Sequence, residues 1–249
     1  MEPLSLYPKM FCDALRPLKS RTTYYLEGSP LAMSQCARDL GVHFTPNLQF
    51  DEHISIIVEK ATNRVNNILR CFKNDNLSFL TRAFCTYVRP LLEYAPEVWS
   101  PQDSIGQAKL LESVQRSFTK RIFARARMSD MSYPERLATL GLQTLEYRRA
   151  LRDLLFLYKC VNGGVELETG DLYAVGAPSV NLRRAHGSRL NLPFIVKGRN
   201  RSTFVSRSIR VWNNLPQSII ESNTSYLFNI AISQLPYETI VPNSLIQIE

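Results

Sequence analysis

With 249 residues and a 45% hydrophobic content, the chain is long enough to bury a sizeable core, which excludes a disordered tail. Thirty Lys and Arg against 22 Asp and Glu leave a net charge of +8, a balance that favours a polyanionic partner through counterion release. Five widely spaced cysteines lack a Cys-x-x-Cys pair and three histidines show no metal-ligand spacing. That pattern argues against a disulfide framework or zinc knuckle and for an intracellular protein, nuclear or cytoplasmic, and no run predicts a membrane span or secretory leader.

Residues 1–21 are punctuated by proline and hold no evident element. Residues 22–26 are β-branched and aromatic, Glu27-Gly28-Ser29-Pro30 is turn chemistry, and residues 37–44 hold a second apolar segment around Leu40, Val42 and Phe44, which predicts a small N-terminal β-hairpin. Thr45-Pro46-Asn47 reads as a turn, and Asp51 as the cap of a helix whose apolar stripe is Ile54, Ile57, Val58, Ala61, Val65, Ile68, Leu69 and Phe72. Its other face carries Lys60 and Arg70 beside Glu59, Asn63 and Asn67. A second apolar helix, marked by Leu77, Leu80, Phe84, Tyr87 and Val88, should stop or kink near Arg89, because Pro90 lacks the N–H that continues the ladder. Pro96 and Pro101 bracket Val98 and Trp99, so 87–101 predicts a clasp with a buried tryptophan.

Ser104, with Asp103 beside it, opens a long helix whose stripe is Leu111, Val114, Phe118 and Ile122. At 100° per residue, Arg116, Lys120 and Arg127 fall within about 40° of each other on the opposite side. No acid lies between Gln115 and Met128, so the row suits either a phosphate backbone or a plain solvated face. Ser132 begins a short helix with Gly141 as its left-handed exit. Residues 145–160 form another, with Leu151, Leu154, Leu155 and Tyr158 inward, Arg148, Arg149 and Arg152 outward, and Asn162-Gly163-Gly164 as its end.

From 172 to 220 there is no Asp or Glu, but there are eight basic residues: Arg183, Arg184, Arg189, Lys197, Arg199, Arg201, Arg207 and Arg210. Outside this segment 22 basic and 22 acidic residues cancel, so it carries the whole net charge and predicts an anion-facing surface. Tyr173, Phe194, Phe204 and Trp212 are interleaved, with Phe204, Ile209 and Trp212 at helical spacing suited to a core. Residues 226–232 form a last apolar element, helix or strand.

Several segments carry a resemblance in order along the chain. Arg38-Asp39-Leu40-Gly41-Val42 comes first, then Tyr87-Val88-Arg89-Pro90-Leu91-Leu92-Glu93-Tyr94-Ala95, Val98-Trp99-Ser100-Pro101 and Leu111-Glu112-Ser113-Val114-Gln115-Arg116. Glu135-Arg136-Leu137, Leu140-Gly141-Leu142, Tyr158-Lys159, Asn162-Gly163, Arg184-Ala185-His186, Phe204-Val205-Ser206-Arg207 and Trp212-Asn213-Asn214-Leu215-Pro216 follow. Together they resemble the region downstream of the catalytic palm in reverse transcriptases of non-LTR (LINE-class, jockey-like) retrotransposons. The resemblance implies a mainly α fold: a palm remnant with the hairpin over 1–46, a helical thumb-like bundle over 47–164, and a basic α/loop subdomain over 165–249. It also implies RNA or RNA–DNA duplex as a largely sequence-independent partner, with Lys60 and Arg70 on a thumb helix that tracks the backbones.

A polymerase of that kind holds two divalent ions on clustered Asp carboxylates. The family's Tyr/Phe-x-Asp-Asp turn is absent and no two Asp are adjacent, so no cofactor is expected in this chain: Mg2+ would belong to the missing palm. Neither polymerase nor nuclease activity is expected of the chain alone. Two functions stand: a nucleic-acid-binding part of such an enzyme, or a helical protein-interaction module.

Overall fold

The computed structural model describes residues 25–26, 28–30, 34–73, 75–101, 104–165, 173–175, 189–191, 204–242, 244 and 246. The described residues are mainly helical, as expected, with short antiparallel hairpins. They fall into two compact units, Met1–Ile56 and Ile57–Glu249.

In the first unit the described residues of the two predicted β segments do not pair with each other. Strand β1 (Tyr25–Leu26) pairs with β2 (Ser29–Pro30) around Gly28, and β3 (Ala37–Asp39) pairs with β4 (Val42–Phe44). Each hairpin closes on its nearest neighbour because a turn residue with positive φ lies at hand. Gly28 stands at φ 79°, and Leu40 and Gly41 at 43° and 89°, the paired left-handed values of a two-residue primed turn. The His43 backbone N–H donates to Nδ1 of buried His53, 3.3 Å away, which ties β4 to the start of helix α1 (Asp51–Cys71). Asp51 and Glu52 occupy the first turn of α1, where negative charge meets the positive end of the helix dipole.

In the second unit α2 (Leu77–Tyr87) ends one residue before α3 (Arg89–Glu93), and Pro90 takes a first-turn position where its missing N–H costs nothing. Ala95 then adopts a left-handed backbone and starts α4 (Pro96–Trp99). The Trp99 ring is 2% exposed, and its Nε1–H donates to the Tyr94 carbonyl at 2.7 Å, so the predicted clasp is present. Helix α5 (Ile105–Arg125) is capped by Ser104, α6 (Tyr133–Leu140) by a Ser132–Glu135 capping box, and α7 (Leu145–Val161) by Thr144. Phe84 of α2 stacks on Phe118 of α5 at 4.5 Å.

A short β5 (Ala174–Val175) pairs with β6 (Leu190–Asn191). Helices α8 (Phe204–Trp212), α9 (Gln217–Ile220), α10 (Ser225–Ser233) and α11 (Tyr237–Ile240) follow. The last apolar element is thus a helix, capped by Thr224, and the described part of the C-terminal segment shares one core with α7. Tyr158 stacks on Phe228 at 4.3 Å, Trp212 lies beside Phe228, and burying rings of this size stabilises the core by roughly 1.5–3 kcal/mol each. Among the described residues no helix is long and apolar enough to cross a membrane.

Candidate nucleic-acid interface

Helix α7 is enclosed on more sides than an amphipathic stripe implies, and this decides where the arginines go. Arg149, expected to face outward, is 2% exposed, and burial pulls its guanidinium below the usual arginine range. Arg148 donates from Nε and Nη2 to the buried Glu93 carboxylate of the clasp, while Arg152 donates to the Glu93 carbonyl at 2.7 Å and pairs with Glu97 at 3.5 Å. Arg148 and Arg152 therefore form a seam between α7 and the clasp, Arg152 staying exposed as predicted, while Arg149 is buried.

Arg207 belongs to the same seam. Its Nε and Nη2 donate to the Asp153 carboxylate at 2.7 and 3.1 Å, and its Nη1 and Nη2 reach the Ser100, Glu97 and Pro96 carbonyls at 3.2–3.4 Å. It is consumed by internal partners and does not present a free cation to a ligand. Burial raises the Asp153 carboxyl above its usual range even with Arg207 beside it. Arg210, exposed in the last turn of α8, opens onto a cavity of about 360 Å³ lined also by Glu146 and Asp153. Arg189 is exposed next to β6. Arg183, Arg184, Lys197, Arg199 and Arg201 lie outside the described residues.

The predicted row on α5 is also rearranged. Arg116 lies over the Tyr133 ring at 4.4 Å, a cation–π contact. Helix α5 ends at Arg125, so Arg127 leaves the helical wheel and stands at φ 58°. Lys120 remains exposed on α5, and two arginines outside the predicted row join it. Arg121 donates to the Asn66 side chain at 2.7 Å, and Arg125 caps the end of α1 through the Phe72 carbonyl at 2.8 Å and the Leu69 carbonyl. These bonds set the second half of α5 beside the second half of α1, with exposed Arg70 and Lys73 at that seam. Exposed Lys60 and Arg64 lie about 120–160° further round α1 from Asn66, where Arg64 donates to the Tyr87 carbonyl.

Over 57–73 and 116–128 the lone acid is Glu59, and no described acid forms an ion pair with Lys60, Arg64, Arg70, Lys73, Lys120, Arg121, Arg125 or Arg127. A concentration of exposed cations without interspersed carboxylates is an electrostatic footprint for a polyanion. Arg121 and Arg125 escape a reading of the sequence because their positions on the wheel point toward α1, and only the packing of two helices shows that they stay exposed at the seam. Among the described residues no group of three or more His, Cys, Asp and Glu could hold a metal ion.

No family model matches the chain, and no solved structure does. An uncharacterized protein of Caenorhabditis elegans is 31% identical to it over 125 residues, which is 50% of this chain and 63% of that protein. The chain is similar to that relative over less than two thirds of the relative's length.

Proposed function

We propose that the chain is a nucleic-acid-binding part of a reverse transcriptase of the non-LTR retrotransposon class, gripping the phosphate backbone of RNA or an RNA–DNA duplex without reading sequence. The observation that carries this reading is the joined surface of α1 and α5, where exposed Lys and Arg meet one acid. The ordered motifs of the sequence support the family, and the net charge of +8 supports the polyanion. In this reading the chain supplies grip and no bond chemistry, so it incorporates no nucleotide on a primed template.

Fluorescence anisotropy with a labelled RNA–DNA duplex tests it. Affinity should fall by about 10³-fold or more between about 50 and 200 mM salt, and Lys60→Glu with Lys120→Glu should flatten the salt slope by about one unit for each phosphate no longer neutralised. Binding that is absent at low salt, or indifferent to salt, would sink the reading.

A second reading, a protein-interaction module, is favoured by α10. That helix has no charged residue, and it leaves Tyr226 at 71% and Leu227 at 50% exposure. A pull-down with excess polyU separates the two: partners retained through the RNA wash belong to this second reading.

A further inference from the structure

We propose that the cationic surface takes unpaired nucleotides, with Phe72 and Phe79 as the platform on which their bases stack. This rests on the polyanion reading above and narrows it to single-stranded nucleic acid. The apolar stripe of α1 places Phe72 inward, but the ring, one residue past the helix end, is 42% exposed. Phe79, in the first turn of α2, is exposed to the same degree. Exposure is not the habit of phenylalanine here: Phe84, Phe118, Phe123 and Phe228 are all 1% exposed or less.

The two rings meet edge to face, 5.2 Å apart at 74°, an arrangement that leaves ring faces uncovered. Both are held from rigid backbone. The Phe72 N–H donates to the Ile68 carbonyl at 2.9 Å, and the Phe79 N–H to the Asn76 side chain at 3.0 Å, so little ordering entropy is left to lose on binding. Positive charge adjoins them directly: Arg125 donates to the Phe72 carbonyl, Lys73 is the next residue, and Arg70 lies two before it, both exposed. Aromatic faces beside a cationic track suit a single strand, whose phosphates follow the charges while its bases lie on the rings. A duplex keeps its base faces in its own stack and gains nothing from the phenyl groups.

The test compares wild type with Phe72→Leu/Phe79→Leu, which keeps apolar volume and removes the rings. Three probes are used at low salt: a mixed-sequence single-stranded RNA, its blunt duplex, and inorganic polyphosphate of similar charge. The single strand should bind about tenfold more tightly than polyphosphate, and the variant should lose that margin while keeping its affinity for polyphosphate and duplex. Equal binding of all three probes by wild type, unchanged in the variant, overturns the stacking platform and leaves the phosphate grip standing. A parallel loss for every probe, with a lowered thermal midpoint, also overturns it, because the rings then only support the fold. Absence of binding to any probe overturns the grip as well.

Discussion

Arg127 occupies a position that this protein elsewhere gives to glycine. Helix α5 closes with the Met128 N–H on the Phe123 carbonyl at 2.9 Å and the Arg127 N–H on the Ala124 carbonyl at 3.2 Å. Helix α6 ends with the same pair of bonds around Gly141, and α7 with the Gly164 N–H on the Lys159 carbonyl after Gly163. In this left-handed exit a Cβ crowds the following carbonyl at a cost of about 1 kcal/mol, which glycine avoids. Arg127→Gly should therefore raise stability by ~0.5–1 kcal/mol, measured as the urea midpoint. The same change should reduce the salt slope of RNA–DNA binding by about one unit if Arg127 touches a phosphate. A variant that gains no stability refutes the strain, and one that gains stability with an unaltered slope removes Arg127 from the grip.

At the scale of elements, a seam of ion pairs joins the clasp and α8 to α7 beside the shared apolar core of the unit from Ile57 to Glu249. Arg207 and Asp153 are the most enclosed pair, with side chains 11% and 5% exposed. Removing one partner strands a buried charge, so Arg207→Met should destabilise by ~3–5 kcal/mol, whereas Lys120→Ala on the open surface should stay within about 0.5 kcal/mol. Replacing both partners, Arg207→Met with Asp153→Leu, should recover much of the loss, and urea denaturation of the variants checks all three values. A mild Arg207→Met phenotype would return that residue to the cations open to a ligand. The contrast shows what a sequence can reveal. Ser104, Ser132 and Gly141 mark helix ends within three or four residues, so those boundaries are legible from local chemistry. Arg207 meets Asp153 across 54 residues and Glu97 across 110, and nothing in its own neighbourhood of like charges announces a carboxylate. The hairpins depart from expectation for the complementary reason. Two segments of strand-like composition flank the turn signal at Gly28, while Leu40, a poor primed-turn residue, conceals the turn that closes β3 on β4. The proposed grip is half legible: Lys60, Arg70 and Lys120 can be read from one helix each, but Arg121 and Arg125 require two helices side by side.

The whole unit carries charge in two ways, cations outside and carboxylates within, and the inner set makes stability depend on pH. Glu112 is 1% exposed; it accepts hydrogen bonds from the Tyr133 hydroxyl and, at 3.0 Å, from the Leu145 N–H, with Gln115 at 3.5 Å. Burial nevertheless pushes its carboxyl above the usual range, against the downward pull of Tyr133 and Arg149, and Asp153 is raised for the same first reason. Between the unfolded carboxylate range, about pH 4, and these raised values the folded chain binds more protons than the unfolded one, so stability falls as pH rises through that window. Glu135 works in the opposite sense: Ser132 holds its carboxyl low, and the stability it adds is lost as pH falls through that depressed value. Glu112→Gln removes one buried titration. Its urea midpoint should lie below that of the wild type at the acid end of that window, where the protonated wild-type carboxyl keeps its partners, and the gap should close as pH rises through the raised value and the wild type takes on a buried charge. Curves that run parallel across that range would mean that the Tyr133 hydroxyl, the Leu145 amide and Arg149 together compensate the Glu112 charge in full.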